Sequence, residues 1–265
     1  MALDIQLAMN GRFEMQTTEA RPTGPETARA AGIGWTELLF WSALGVAAAM
    51  IGGMVVFGEF IPPLLIFAAP FVIGALIIRR RRKGGAIFLG VVGVLTLLLN
   101  LPFIVPSLRV PASTEDFIMT SVILVFLVVL LSAAVAAVRT KESGPSPAAR
   151  TLGFAALALI GLSIATAAAA RVTHESAVVQ AGDIEIVTQD IEFSHEHITA
   201  EAGEVSVFVE NKDTTLHTFT IEELGVDLQI PSNSAQRITF DAPPGTYDFE
   251  CTPHSDGMKG TIEFQ

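Results

Sequence analysis

The sequence predicts two bodies in one chain, an all-α transmembrane bundle of five helices followed by an all-β sandwich, and three observations carry that reading. Apolar residues make up 51% of the 265 and charged residues only 16%, against about 25% charged in an ordinary soluble domain. Charge is divided along the chain: Met1–Arg171 carries 13 Lys/Arg and 9 Asp/Glu, whereas Val172–Gln265 carries 3 and 18. The apolar pattern changes at the same place, from long unbroken runs to short alternating segments bounded by turn residues.

Residues 1–36 are polar and rich in Thr, Glu, Pro and Gly. They lack an apolar stretch behind a basic start, so they read as a flexible cytoplasmic tail and not as a cleavable signal peptide. The transmembrane region is expected over 37–171, where five apolar runs of roughly 18 to 22 residues occupy Leu38–Phe57, Ile61–Ile78, Ala86–Val105, Phe117–Val138 and Leu152–Ala170. A backbone in hydrocarbon must satisfy its own hydrogen bonds, which makes each run a helix.

Basic residues set the expected orientation. Arg79, Arg80, Arg81, Arg82 and Lys83 lie between the second and third runs, so this turn belongs in the cytoplasm. Five crossings place Arg12, Arg21, Arg29, Arg139, Lys141 and Arg150 on the same side, giving 11 basic residues there, while the outer side of this half keeps only Arg109 and Arg171. Everything after Arg171 is thereby expected on the extracytoplasmic face of a multi-pass membrane protein.

No Asp, Glu, Lys, Arg or His falls inside the five runs, and all 5 histidines follow the last of them. The runs therefore offer no haem ligands, proton wire or charged ion path. Gly45, Gly52, Gly53, Gly90 and Gly93 read as points of close helix approach. Met50 and Met54, spaced i, i+4, are thioethers of the kind that suit Cu(I), although such pairs also arise by chance. Pro70 and Asn100-Leu101-Pro102 read as kinks or packing contacts.

A linker is expected over 172–182 and a sandwich over 183–265. Strand-like alternation occurs at Ile184–Val187, Val205–Val209, Thr218–Ile221, Arg237–Phe240, Tyr247–Glu250 and Gly260–Phe264, with turn signals at Ala202-Gly203, Asn211-Lys212-Asp213 and Pro243-Pro244-Gly245. A core this small gains from a metal that ties distant strands together. The sole cysteine, Cys251, can form no internal disulfide and no two-cysteine cluster, which leaves it a thiolate ligand or nucleophile.

Cys251-Thr252-Pro253-His254-Ser255-Asp256-Gly257-Met258 offers a thiolate, an imidazole and a thioether before the last strand, and His217 stands at an upstream strand end. Two imidazoles, one thiolate and a weak axial thioether form the donor set of an electron-transfer copper site. Soft sulfur favours Cu(I), imidazole accepts both oxidation states, and no position is left open for a substrate, so no catalytic residue is expected. His195 and His197, at i, i+2 with Glu196 between them, read as one solvated strand face, and His174 lies in the linker.

Residues of about 183–265 resemble a cupredoxin of the plastocyanin and amicyanin kind. The resemblance rests on Asn211-Lys212-Asp213-Thr214-Thr215-Leu216-His217-Thr218-Phe219, on Tyr247-Asp248-Phe249-Glu250-Cys251-Thr252-Pro253-His254 and on Gly257-Met258-Lys259-Gly260. It implies a Greek-key sandwich holding one type 1 copper ion through His217, Cys251, His254 and Met258, with no enzymatic activity. It further implies that His254 reaches the surface as the electron port while Cys251 couples the metal to the protein. Ser255-Asp256-Gly257 gives a His-to-Met spacing that departs from the usual one of either kind. Many relatives carry Asn after the first histidine, whereas this chain has Thr218, which implies a weaker brace for the loop.

The expected function is that of a membrane-anchored carrier of single electrons between extracytoplasmic redox partners. The alternative is copper capture, delivery or sensing. The acidic C-terminal half is expected to attract a partner with a basic surface, such as a cytochrome c or an oxidase-like subunit, and no nucleic acid. Tethering would concentrate the domain beside membrane-bound oxidoreductases.

Overall fold

A computed structural model describes residues 32–58, 60–141 and 144–265. Of the expected tail over 1–36, residues 1–31 lie outside the described residues. Helices α1 (Trp35–Phe57), α2 (Pro62–Arg80), α3 (Arg82–Leu99), α4 (Leu101–Arg109), α5 (Thr114–Arg139) and α6 (Pro147–Thr173) precede nine strands. Five of the helices, all but α4, are long and apolar enough to cross a membrane.

Helix α1 starts where Glu37 accepts from the Gly34 N–H at 3.2 Å, and it stops at Gly58, whose φ of 72° gives the left-handed turn that glycine adopts without strain. Only Arg81 separates α2 from α3. The two helices form a tight hairpin because a Cβ at Gly85 would come within 2.5 Å of the Ile78 Cα, an approach that only glycine permits. Leu39, Val46, Phe71, Leu89, Leu127 and Leu130 fill the bundle core. Gly45, Gly53 and Gly93 do mark close approaches, to Phe126, Met119 and Leu130 respectively. Gly52 meets nothing within 4 Å and Gly90 only ordinary contact.

The third expected span, Ala86–Val105, is not one helix. It breaks at Asn100, whose φ and ψ of −102° and 4° separate α3 from α4. Pro102 and Pro106 supply no N–H to continue the ladder, and the Asn100 side-chain amide takes the Thr96 carbonyl at 2.8 Å. Helix α4 buries none of its residues and leaves Leu101, Phe103 and Val105 exposed.

Arg82, at the start of α3, donates to the Thr140 carbonyl at 3.1 Å, and the Ser146 N–H donates to the Ile33 carbonyl at 3.1 Å. The α2–α3 turn, the α5–α6 connection and the start of α1 thus share one end of the bundle. The β domain follows α6 at the other end.

The strands are β1 (Ile184–Gln189), β2 (Glu192–Phe193), β3 (His197–Ala200), β4 (Gly203–Asn211), β5 (His217–Ile221), β6 (Val226–Ile230), β7 (Ser234–Ala242), β8 (Gly245–Glu250) and β9 (Lys259–Phe264). They form two sheets, ordered β2-β1-β4-β7 and β3-β9-β8-β5-β6. β1 runs parallel to β4 and β3 parallel to β9, while the remaining pairs are antiparallel. Inward residues of both sheets, among them Ile186, Val207, Val209, Phe219, Ile221, Phe249 and Ile262, form one core. Phe193, Phe219 and Phe249 meet at ring-centroid distances of 5.1 to 6.4 Å. Each such buried side chain is worth about 1.5–3 kcal/mol.

The strand reading passes over β2, β3 and β6. His195 lies in the bend before β3 and bonds Ser194 Oγ at 2.8 Å, while His197 lies in β3 and bonds Thr261 Oγ1 at 2.7 Å. The pair therefore does not share a strand, although both side chains are exposed as expected.

Candidate metal centre

Two strand ends and one short loop build the site. His217 opens β5, in register with Ile230 of β6, and Cys251 follows β8. Between Cys251 and β9 the chain makes a single helical turn, Thr252–His254. That turn is closed by backbone bonds from His254 N to Cys251 O (2.8 Å), Met258 N to His254 O (2.9 Å) and Cys251 N to Met258 O (2.9 Å). The last of these ties the two ends of the loop together and turns Met258 inward, 1% exposed, into the core cluster that also holds Cys251.

Three of the four residues singled out in the sequence, His217, Cys251 and His254, thus converge at one end of the sandwich, and Met258 packs in the same core cluster as Cys251. Cys251 Sγ lies 3.5 Å from Nδ1 of His217 and 3.5 Å from Nδ1 of His254. Donor atoms of these three residues all lie within 4.8 Å of one another. His217 and Cys251 are fully buried, while His254 is half-buried, its ring 5.1 Å from that of His217.

Burial sets the protonation of the group. It pushes the Cys251 thiol up to about 11, against the opposing hydrogen bond from the Thr218 N–H. It pulls His254 down to about 4, helped by the neighbouring His217 and opposed by Asp213. It also lowers His217, although Asp213 acts in the other direction. At neutral pH both imidazoles are neutral, the form that binds metals, and one proton remains on sulfur.

The donor set fits a copper ion. A trigonal ion bound at about 2.0 Å to nitrogen and about 2.3 Å to sulfur holds those atoms about 3.7 Å apart, close to the 3.5 Å separations here. One soft sulfur and two imidazoles also match the softness of Cu(I) without excluding Cu(II).

The residues that orient the site are less visible in sequence. Asp213 Oδ2 lies 2.7 Å from His217 Nε2. The same carboxylate accepts the N–H groups of Asp190 at 2.8 Å and Ile191 at 3.2 Å, and those two residues hold positive φ angles of 58° and 61°. Asn211, 1% exposed, donates to the carbonyls of Thr215, Ile230 and Pro231. Spacing gave no clue to Asp213, because i, i+4 outside a helix does not imply contact.

Thr218, in the place where many relatives carry Asn, does brace the loop. Its Oγ1 accepts the Thr252 N–H at 2.8 Å, and its own N–H donates to Cys251 Sγ at 3.3 Å. A threonine hydroxyl and the strand backbone together fix both ends of the cysteine segment. In the bundle, Met50 lines a cavity of about 80 Å³ together with Met119 and Asn100, and Met54 is not among its lining residues.

Residues 154–262, from within α6 almost to the end of β9, match the family described as a cupredoxin-like domain. Solved structures of amicyanin are similar to about a third of the chain. A reduced amicyanin mutant is 20% identical, with 33% of this chain and 86% of that chain covered and a TM-score of 0.29. Amicyanin from Paracoccus versutus is 19% identical, with 33% and 85% covered and a TM-score of 0.28. No curated protein sequence matches the chain. The chain is thus similar to a cupredoxin-like domain over residues 154–262, and its described residues include five helices long and apolar enough to cross a membrane.

Proposed function

We propose that the chain is a membrane-anchored type 1 copper protein that carries single electrons between redox partners on the extracytoplasmic side. The observation that carries this reading is the convergence of Cys251, His217 and His254, whose donor atoms lie within 4.8 Å of one another, with Sγ 3.5 Å from Nδ1 of each histidine. These three residues would hold the ion, with the Met258 thioether as the weak fourth donor. When bound, copper supplies one-electron chemistry between Cu(I) and Cu(II).

The protein's part is to keep the donors in place and water out. Burial of Cys251, His217 and Met258 dries the site. Asp213 fixes the His217 tautomer by taking its Nε2–H, which leaves the Nδ1 lone pair facing sulfur. Thr218 directs an N–H at sulfur. Donors held this firmly favour fast electron exchange over substrate turnover, so we assign no enzymatic role.

Orientation is supported by charge. Arg79–Lys83, Arg139, Lys141 and Arg150 gather at the bundle end away from the β domain, the end that the positive-inside rule keeps in the cytoplasm. Glu196, Glu222, Glu223, Asp248 and Glu250 line a groove on the β domain, with Glu250 adjacent to Cys251. That groove favours a redox partner with a basic surface.

Titrating the full chain, in detergent, with Cu(II) tests the reading. A carrier should take up one copper per chain, pass reversibly through one-electron redox cycles, and hold its metal against a Cu(I) chelator. Ready release to the chelator would favour copper delivery, and more than one tightly held ion would contradict the assigned site.

A further inference from the structure

Asp116 opens the fifth helix of the chain, α5, and is 8% exposed. Its Oδ2 accepts from Ser113 Oγ at 2.8 Å and from the Leu216 N–H at 2.7 Å, and its Oδ1 accepts from Thr215 Oγ1 at 3.1 Å. All three are donors, which matches an ionised carboxylate acting only as acceptor. Leu216 is the residue before His217, so the bundle holds the β domain by the segment that leads into the metal centre.

Neighbouring contacts extend the grip. Glu115 Oε2 accepts from Ser232 Oγ at 2.8 Å, and Ser113 Oγ from the Ser232 N–H at 3.4 Å. Arg171, near the end of α6, donates to the carbonyls of Ser232 at 2.8 Å and Asn233 at 3.2 Å. The two gripped loops are joined to each other, because Asn211 bonds the carbonyls of Thr215 and Pro231 and Asn233 N donates to Asp213 O at 3.0 Å. Helix α4 lies near the Thr252–His254 turn, the turn that carries the second imidazole.

A flexible tether needs none of this. A nearly buried carboxylate is costly unless its acceptors are filled, and here two of its three donors, Thr215 and Leu216, come from the β domain. We propose that Asp116 is a positioning residue of the metal centre: it clamps the loop preceding His217 to the helix bundle, so that the β domain is fixed on the membrane half and the bundle helps to set the metal's properties. This inference rests on the copper reading above. It gives the five helices a task beyond anchoring, and because coupling is reciprocal, the state of the metal acts back on the start of α5.

The test uses the full chain in lipid nanodiscs with Asp116→Ala, Asp116→Asn and Asp116→Glu. Hydrogen exchange, measured without metal, should be about tenfold or more faster at the Leu216 amide in Asp116→Ala. The reduction potential, read from the copper-dependent visible band, should rise in both Asp116→Ala and Asp116→Asn, since a nearby anion favours the more highly charged Cu(II). Asp116→Glu should restore both partly. If Asp116→Ala loses the band through misfolding, Asp116→Asn, which keeps the volume and one acceptor, decides by its potential. Unchanged exchange and unchanged potential in folded variants would overturn the clamp. A wild-type chain that never develops the band would overturn the copper reading instead, and the metal-free exchange comparison would still decide whether Asp116 grips the loop.

Discussion

The Nε2 atom of His217 sits 2.7 Å from Oδ2 of Asp213, and this single contact determines which ring nitrogen is free to face Cys251. The carboxylate is itself held by two backbone N–H groups, so the imidazole is oriented by a rigid partner.

Asp213→Ala is therefore expected to lower copper affinity about 10- to 100-fold. Competition against a chelator of known affinity measures this. Equal affinity in variant and wild type would show that ring orientation does not depend on Asp213.

Thr218→Val removes the hydroxyl that accepts the Thr252 N–H while keeping the shape of the side chain. An amide left without a partner costs about 1–3 kcal/mol, so the β domain should unfold at lower denaturant concentration by that amount. Thr218→Ser, which keeps the acceptor, should lose much less. Equal losses in both variants would point to packing of the methyl group instead.

Copper affinity should depend on pH with a definite sign. The Cys251 thiol, pushed up to about 11 by burial, must lose its proton on binding, whereas His254, lowered to about 4, is already neutral near pH 7. From neutral pH up to about 11, where burial keeps both imidazoles neutral, each ion bound displaces one proton, so affinity should rise about tenfold per pH unit. Below about pH 4 a proton on His254 competes as well and the dependence steepens. Calorimetry in buffers of different ionisation enthalpy counts the protons, and a count of zero or two at neutral pH would contradict this protonation scheme.

Gly85 and Gly52 make a matched pair in the bundle. A Cβ at Gly85 would come within 2.5 Å of backbone in Ile78, whereas one at Gly52 meets nothing within 4 Å. Alanine improves helix propensity by about 1 kcal/mol at either site, but overpacking against backbone costs about 1–3 kcal/mol. Gly85→Ala should lower the thermal midpoint in detergent, and Gly52→Ala should leave it unchanged or raise it. The reverse order would contradict the α2–α3 packing.

The parts of the fold that were legible in sequence are those with strong periodic signals. Long apolar runs identified five membrane-length helices, and alternation identified the strands that fill the sandwich core, such as Val205–Val209 and Tyr247–Glu250. The third run hid a break because hydropathy does not register a missing N–H, and only Asn100-Leu101-Pro102 marked the place. Short edge elements were missed for the opposite reason: β2 has only Glu192 and Phe193, too few residues to show a period. β6 does alternate, with Val226 and Ile230 buried and Asp227 exposed, and it could have been read. Of the site, the donor residues stood out by type and order. Asp213 did not, because a spacing of four residues outside a helix implies no contact, and Asp116 did not, because its contacts reach across 99 and 100 residues that no local pattern encodes.

Absorption of the copper-loaded chain tests the central claim most directly. Wild type with Cu(II) should show an intense visible band from sulfur-to-copper charge transfer, and Cys251→Ser, with its bundle intact by circular dichroism, should show none. A band of equal intensity in Cys251→Ser, or no band in the wild type, would contradict a metal centre built on Cys251, His217 and His254.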